Sequence, residues 1–183
     1  RLNEKQPAEL YQGLFGKLLV RCKNTPGKHK FRFKNPLYSL DASAIDLAMN
    51  LFPWAAHRDD TANVKLSVGL NHGTLIPEFV ALSDGNENDM IEGRKFDFPK
   101  GSIVAFDKGY FDYESYKTLT DKGIFFVTRL RTNAVYEVHA DYPVKPNSGV
   151  LADQDIQPSS AHALKRGAPP MRRVVYHCSE TEK

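Results

Sequence analysis

Cysteine is nearly absent from the 183-residue chain: Cys22 and Cys178 stand far apart, with no Cys-x-x-Cys and no cysteine-histidine spacing of the zinc kind. Neither a disulfide framework nor a structural zinc site is indicated, and both thiols read as buried or idle. Long apolar runs are missing too. None approaches the roughly 20 residues that span a bilayer, and no charged-then-apolar secretory leader opens the sequence. A cytoplasmic protein with no membrane partner is the expectation. With 41% hydrophobic and 26% charged residues, and no repeat or low-complexity tract, a disordered or collagen-like chain is excluded. A domain of this size buries roughly 70% of its unfolded surface, enough for a core without covalent or metal staples. One domain carrying an insertion is the simplest organisation. The chain opens on Arg1 and closes in Ser179-Glu180-Thr181-Glu182-Lys183, which reads as an internal piece of a longer protein.

The net charge of +3 conceals an asymmetry. Residues 1–40 carry nine Lys/Arg against two Glu, residues 41–122 eight against fourteen acids, and residues 123–183 eight against six. Within the first block Arg21, Lys23, Lys28, Lys30, Arg32 and Lys34 run without an acid, interleaved with Phe31 and Phe33. Such a run suits a polyanion, because cationic side chains bind phosphates and release counterions. A solvated basic linker has the same composition.

Residues 8–23 place Leu10, Leu14, Phe15 and Leu18 at helical spacing behind Pro7, which predicts an amphipathic helix ending near Asn24-Thr25-Pro26-Gly27. Residues 1–30 therefore form a helical segment and basic linker. Three short β-prone runs follow, at 37–41, 64–70 and 76–82, and the four-residue Asn71-His72-Gly73-Thr74 connection makes the last two an antiparallel hairpin. A short helix is expected around 88–96. Gly101–Asp107 has the composition of a fully buried parallel strand, Tyr113–Lys122 that of a helix closed by Gly123, and 124–128 that of another strand. A meander followed by strand, helix and strand is a mixed α/β sheet, and a right-handed crossover lays the Asp107 strand parallel beside the Asp41 strand. After Arg131 the pattern dissolves into turns. We expect a core over 31–131, an irregular β-rich insertion over 132–171, and a return strand and truncated end over 172–183.

On this topology Asp41 and Asp107 sit at adjacent carboxyl ends of strands, the switch point where open sheets bind ligands. Two neighbouring aspartates repel one another unless a cation lies between them. Oxygen-only ligation suits Mg²⁺ or Mn²⁺, which activates a water or a 3′-hydroxyl for in-line phosphoryl displacement. Each aspartate also has a plainer reading: Asp41 as the cap of the following Ala42–Leu47 segment, Asp107 as the start of a turn before Gly109.

Tyr38-Ser39-Leu40-Asp41-Ala42-Ser43, Lys65-Leu66-Ser67-Val68-Gly69-Leu70, Ile76-Pro77-Glu78-Phe79-Val80 and Asp107-Lys108-Gly109-Tyr110-Phe111-Asp112 resemble, in order and spacing, the DDE transposases of bacterial insertion sequences. The resemblance is to the large group called insertion-sequence family four and covers most of residues 1–131. It implies an RNase H-like fold in which two Asp and one Glu hold Mg²⁺ or Mn²⁺ and cut and rejoin DNA at transposon ends. Asp41 and Asp107 match the first two carboxylates. It also implies double-stranded DNA partners (terminal inverted repeats and target DNA), a homodimer when active, and a bacterial, nucleoid-associated setting. The family's third carboxylate lies in a Tyr-x₂-Arg-x₃-Glu-x₆-Lys pattern that does not occur here, and Glu137, Glu180 and Glu182 lack its context. Truncation before that helix, and a catalytically incomplete chain, are the expectation; an inactive DNA-binding or dimerising remnant is the alternative. Lys108 stands where Arg is common, which retains the charge without bidentate geometry, and Asn88-Asp89 stands where a His-Asp pair is frequent.

Lys65, Lys108, Arg129 and Arg131 are candidates for contacts with the DNA backbone, or ordinary solvated charges. Trp54 suits either stacking on an unpaired base or packing. Related transposases use an aromatic of the insertion in strand-end handling, for which this chain offers Tyr136 and Tyr142.

Overall fold

The computed structural model describes residues 6–23, 31–47, 62–84, 96–109 and 112–177. The chain divides into two compact units. The larger holds α1 (Ala8–Lys23), β1 (Leu37–Leu47), β2 (Ala62–Asn71), β3 (Ile76–Asp84), β4 (Ile103–Phe106) and, after an excursion, β5 (Phe125–Val127). The smaller holds α2 (Tyr113–Asp121), β6 (Tyr136–Asp141), β7 (Val150–Pro158), α3 (Ala161–Lys165) and β8 (Met171–Tyr176). Among the described residues no helix is long and apolar enough to cross a membrane.

The larger unit is a five-stranded mixed sheet in the order β3-β2-β1-β4-β5, which fits the RNase H-like expectation. β1 and β2 pair antiparallel from Tyr38 with Asn71 to Leu47 with Ala62, and β2 pairs with β3 across the hairpin. β4 lies parallel to β1 over Leu37–Leu40, and β5 parallel to β4. The hairpin turn is built from its own residues: the Asn71 side chain accepts from the Gly73 amide at 2.7 Å, and Leu75 closes the loop at φ +58.

Alternation along these strands assigns the two faces. Tyr38, Leu40, Val104 and Phe106 point to one side and are buried, as is Ser67 of β2. Tyr38, Phe79, Phe96 and Phe98 cluster there with ring centroids 5.0–6.3 Å apart. The register sets Phe79 opposite Gly69, and the ring occupies the space a side chain at 69 would need. The Tyr38 hydroxyl donates to Glu78 at 3.2 Å. Burial first, and the Glu78 carboxylate second, push that phenol up to about 12.

Several expectations need correction. β4 alternates between buried and half-buried residues rather than being buried throughout, because only its Val104 and Phe106 face the core side. The helix α1 forms as expected, yet Leu10, Leu14, Phe15 and Leu18 remain about half exposed, so its apolar stripe is not sealed by the described residues. The helix expected at 88–96 falls almost wholly outside the described residues.

Residues 132–171, expected to be an irregular β-rich insertion, hold β6, β7 and α3, and β8 pairs with β7 to complete a regular three-stranded antiparallel sheet in the order β6-β7-β8. The strand expected at 172–178 therefore continues this sheet. The smaller unit's buried residues include Tyr116 and Leu119 of α2, Ile156 and Pro158 of β7, Ala163 of α3, and Ala168. Both helices start from side-chain caps: Asp112 accepts from the Ser115 amide and Ser160 from the Ala163 amide. Lys122 caps the end of α2, and Gly123 takes up the positive φ of +70 that follows, as the sequence predicts.

Two outcomes follow. A Cβ at position 69 would stand 2.9 Å from Phe79 Cδ2 and 3.0 Å from its Cβ; Gly69→Ala should cost about 1–3 kcal/mol in urea unfolding, more than the small loss expected of the same change at an open strand position. Because the Tyr38 phenol titrates higher folded than unfolded, it contributes stability that is complete below pH 10 and is lost as pH rises through about 12. Melting temperature should fall over that window, and Tyr38→Phe should flatten the fall; a slope unchanged in the variant overturns the assignment.

Candidate active site

The short parallel ladder ends immediately before two aspartates. Its last register pair is Leu40 with Phe106, and Asp41 and Asp107 are the next residue of each chain segment. Leu40 is 3% and Phe106 7% exposed, whereas both aspartates are exposed. Successive strand residues point to opposite faces, so a residue anchored in the core is followed by one turned away from it. Each carboxylate is also oriented by its own chain: the Ala42 amide donates to Asp41 Oδ1 at 2.9 Å and the Lys108 amide to Asp107 Oδ1 at 2.7 Å.

Asp41 does not end its strand. β1 runs six residues further, to Leu47, paired with β2 throughout, because Ala42–Leu47 continues as strand rather than as a capped helix. What stops at Leu40 is the pairing with β4. Asp107 stands just beyond β4 and opens the turn at Lys108-Gly109.

Two exposed carboxylates with oxygen donors only are a donor set that fits Mg²⁺ or Mn²⁺, which takes one or two carboxylates and keeps several waters. Among the described residues no three His, Cys, Asp or Glu gather into a metal-holding group. Glu137 belongs to β6 of the smaller unit, is exposed, and lies 4.0 Å from His139 Nε2. Glu180, Glu182, Trp54 and the Asn88-Asp89 pair lie outside the described residues.

The four cations belong to different segments. Lys108 is exposed and adjoins Asp107 in the chain. Lys65 is paired with Ala44 in the β1–β2 register, which sets it on the opposite face of the sheet from Asp41. Arg129 and Arg131 are exposed and belong to the smaller unit. The structure adds a neighbour that spacing in the sequence did not single out: His72 Nε2 lies 3.0 Å from the hydroxyl of Ser39, two residues before Asp41 on the same face. The period of two points from Asp41 to Ser39; the approach of His72 depends on the hairpin register.

In the smaller unit Tyr136 and Tyr142 are both engaged internally. Arg173 lies over the Tyr136 ring and Arg172 over the Tyr142 ring, each 5.5 Å from the centroid. Arg172 grips Asp153 through two nitrogens at 2.7 and 2.5 Å, which holds that carboxyl below its usual range. The Tyr142 hydroxyl donates to Asp155 at 2.5 Å, and that bond raises the phenol.

Against this geometry, comparison with known proteins matches a family model described as a transposase DDE domain over residues 32–175, a span that includes both aspartates. A putative transposase of Sinorhizobium fredii is 26% identical over 180 residues, covering 94% of this chain and 49% of the relative. A probable transposase for an insertion sequence element of Geobacillus stearothermophilus is 25% identical over 127 residues, covering 69% of this chain and 33% of the relative. The chain thus spans about half or less of the curated relatives it matches. No solved structure matches.

The buried residue and the exposed acid beside it should separate cleanly in stability measurements. Phe106→Ala should cost about 3–5 kcal/mol in urea unfolding, while Asp107→Asn, on an exposed group, should stay within about 0.5 kcal/mol of the parent.

Proposed function

This chain belongs to the transposase DDE domain family, and we propose that it carries the first two carboxylates of a centre for metal-dependent cleavage and transfer of DNA strands at transposon ends. The observation that carries the reading is that Asp41 and Asp107, both exposed, are each the next residue after the last register pair of the β1–β4 ladder. When bound between them, Mg²⁺ or Mn²⁺ supplies Lewis-acid chemistry, lowering the pKa of a water or 3′-hydroxyl and offsetting charge on the leaving oxygen. The residues themselves do the positioning. Each aspartate presents oxygens from a carboxylate oriented by the next amide, and Leu40 and Phe106 fix the backbone beneath them. Lys108 meets a phosphate beside Asp107, and Arg129 and Arg131, in the smaller unit, are separate candidates for contacts with the DNA backbone. Lys65, one face away from Asp41, takes no part in that centre.

The finer reading places the chain in insertion-sequence family four, with terminal inverted repeats and target DNA as duplex partners and a homodimer as the active form. The third carboxylate comes from outside these 183 residues, since no Tyr-x₂-Arg-x₃-Glu-x₆-Lys pattern occurs in them. That same lack favours a second reading, a remnant that binds DNA without cutting it.

The test uses this chain and the transposase completed with a family third-carboxylate helix. Titration with Mn²⁺, followed by electron paramagnetic resonance, should show binding that weakens at least about tenfold in Asp41→Asn or Asp107→Asn, each lost carboxylate being worth more than ~1.4 kcal/mol. The completed protein should nick terminal-repeat DNA with Mg²⁺, and both substitutions should abolish nicking. Variants that cut as well as their parent overturn the proposal; salt-dependent duplex binding by a completed protein that never nicks establishes the second reading instead.

A further inference from the structure

The segment leading into β1 carries a feature that the carboxylate centre leaves unused. Phe31 and Phe33 stack with centroids 5.3 Å apart and planes 12° from parallel. Phe31 is 57% exposed, and Arg32 and Lys34 beside it are exposed as well. The setting is strongly one-signed: between positions 10 and 40 the sequence holds seven Lys/Arg and no Asp or Glu.

This strap is anchored at its downstream end. The Asn35 side-chain amide donates to the Gly101 carbonyl at 2.7 Å, and the Ile103 amide donates to the Pro36 carbonyl at 2.8 Å. It is thereby tied to the starts of β1 and β4. From Leu37 to Asp41 the strand advances about 13 Å at ~3.3 Å per residue, so strap and carboxylates stand at opposite ends of the parallel ladder.

We infer that Phe31, Arg32, Phe33 and Lys34 form a binding site for an unpaired DNA strand, with the phenyl rings stacking on bases and the two cations meeting phosphates. The charge selects a polyanion. The rings select its form: they reach base faces only where bases are unstacked, whereas a duplex offers phosphates and base edges. The inference rests on the reading that this chain acts on DNA and adds a place that holds a strand without cutting it.

Fluorescence anisotropy of the whole chain with fluorescein-labelled oligothymidylate of about 12 nucleotides, in EDTA and across a salt series, tests it. Binding should weaken with salt, Phe31→Ala should weaken it about tenfold or more, and Phe31→Trp should restore it. Arg32→Gln combined with Lys34→Gln, which leaves the ring stack in place, should lower the logarithmic salt slope by about 1.4. Phe31→Ala binding like its parent, an unaltered salt slope in the double variant, or competition by unlabelled duplex equal to that by single strand each overturns the inference. EDTA removes the metal from the assay, so a failure here condemns the strap alone, while nicking that survives loss of Asp41 or Asp107 condemns the carboxylate centre and leaves the strap standing.

Discussion

Four register pairs between β1 and β4, Leu37 with Ile103 through Leu40 with Phe106, are the constraint on which the rest of this fold turns. They join the antiparallel meander to the parallel half of the sheet, and they bury Leu37, Tyr38, Leu40, Val104 and Phe106. They also set the relative height of two carboxylates that lie 66 positions apart in the sequence. Parallel pairing of this kind needs a long connection, and here the antiparallel strands β2 and β3 lie in the sequence between the two paired segments.

Much of that arrangement is legible in the residues. The β-prone runs at 37–41, 64–70 and 76–82 become β1, β2 and β3, the turn residues 71–74 fix the hairpin, and strand-helix-strand after Gly101 gives β4, α2 and β5. The rest of the fold is carried by strand pairing rather than by composition. Ala42–Leu47 contains Ser, Ala and Asp and has no marked strand preference; it is extended because β2 offers a ladder of equal length. Residues 132–171 read as an irregular β-rich insertion because prolines and glycines punctuate them, yet they hold two of the strands of a three-stranded sheet. Lys65 shows the finest grain: one position either way would have put it on the Asp41 face, a distinction that only a register makes.

The two faces of the larger sheet are built on different physics. One is closed by an aromatic cluster around Tyr38, Phe79 and Phe98, tight enough that Gly69 has no room for a side chain. The other bears Asp41 and Ser39 among Ile45, Val80 and Leu82, which are exposed apolar groups. The tight aromatic packing thus lies on the face opposite Asp41. The smaller sheet follows a third pattern, in which arginines lie over tyrosines and grip Asp153, so its cohesion comes from planar cations and carboxylates as much as from Ile156 and Pro158.

The unequal settings of the two aspartates carry a mechanical consequence. Asp41 lies inside a continuous strand, with hydrogen-bonded neighbours of β2 on both sides of it in the register; moving it means opening the sheet. Asp107 lies one residue past the end of β4, at the entrance to a turn, where backbone opens locally at far lower free energy than in a paired strand. The two positions are therefore held unequally, like the jaws of a bench vice, one fixed to the frame and the other adjustable, so that any displacement of one relative to the other falls mainly on the Asp107 side.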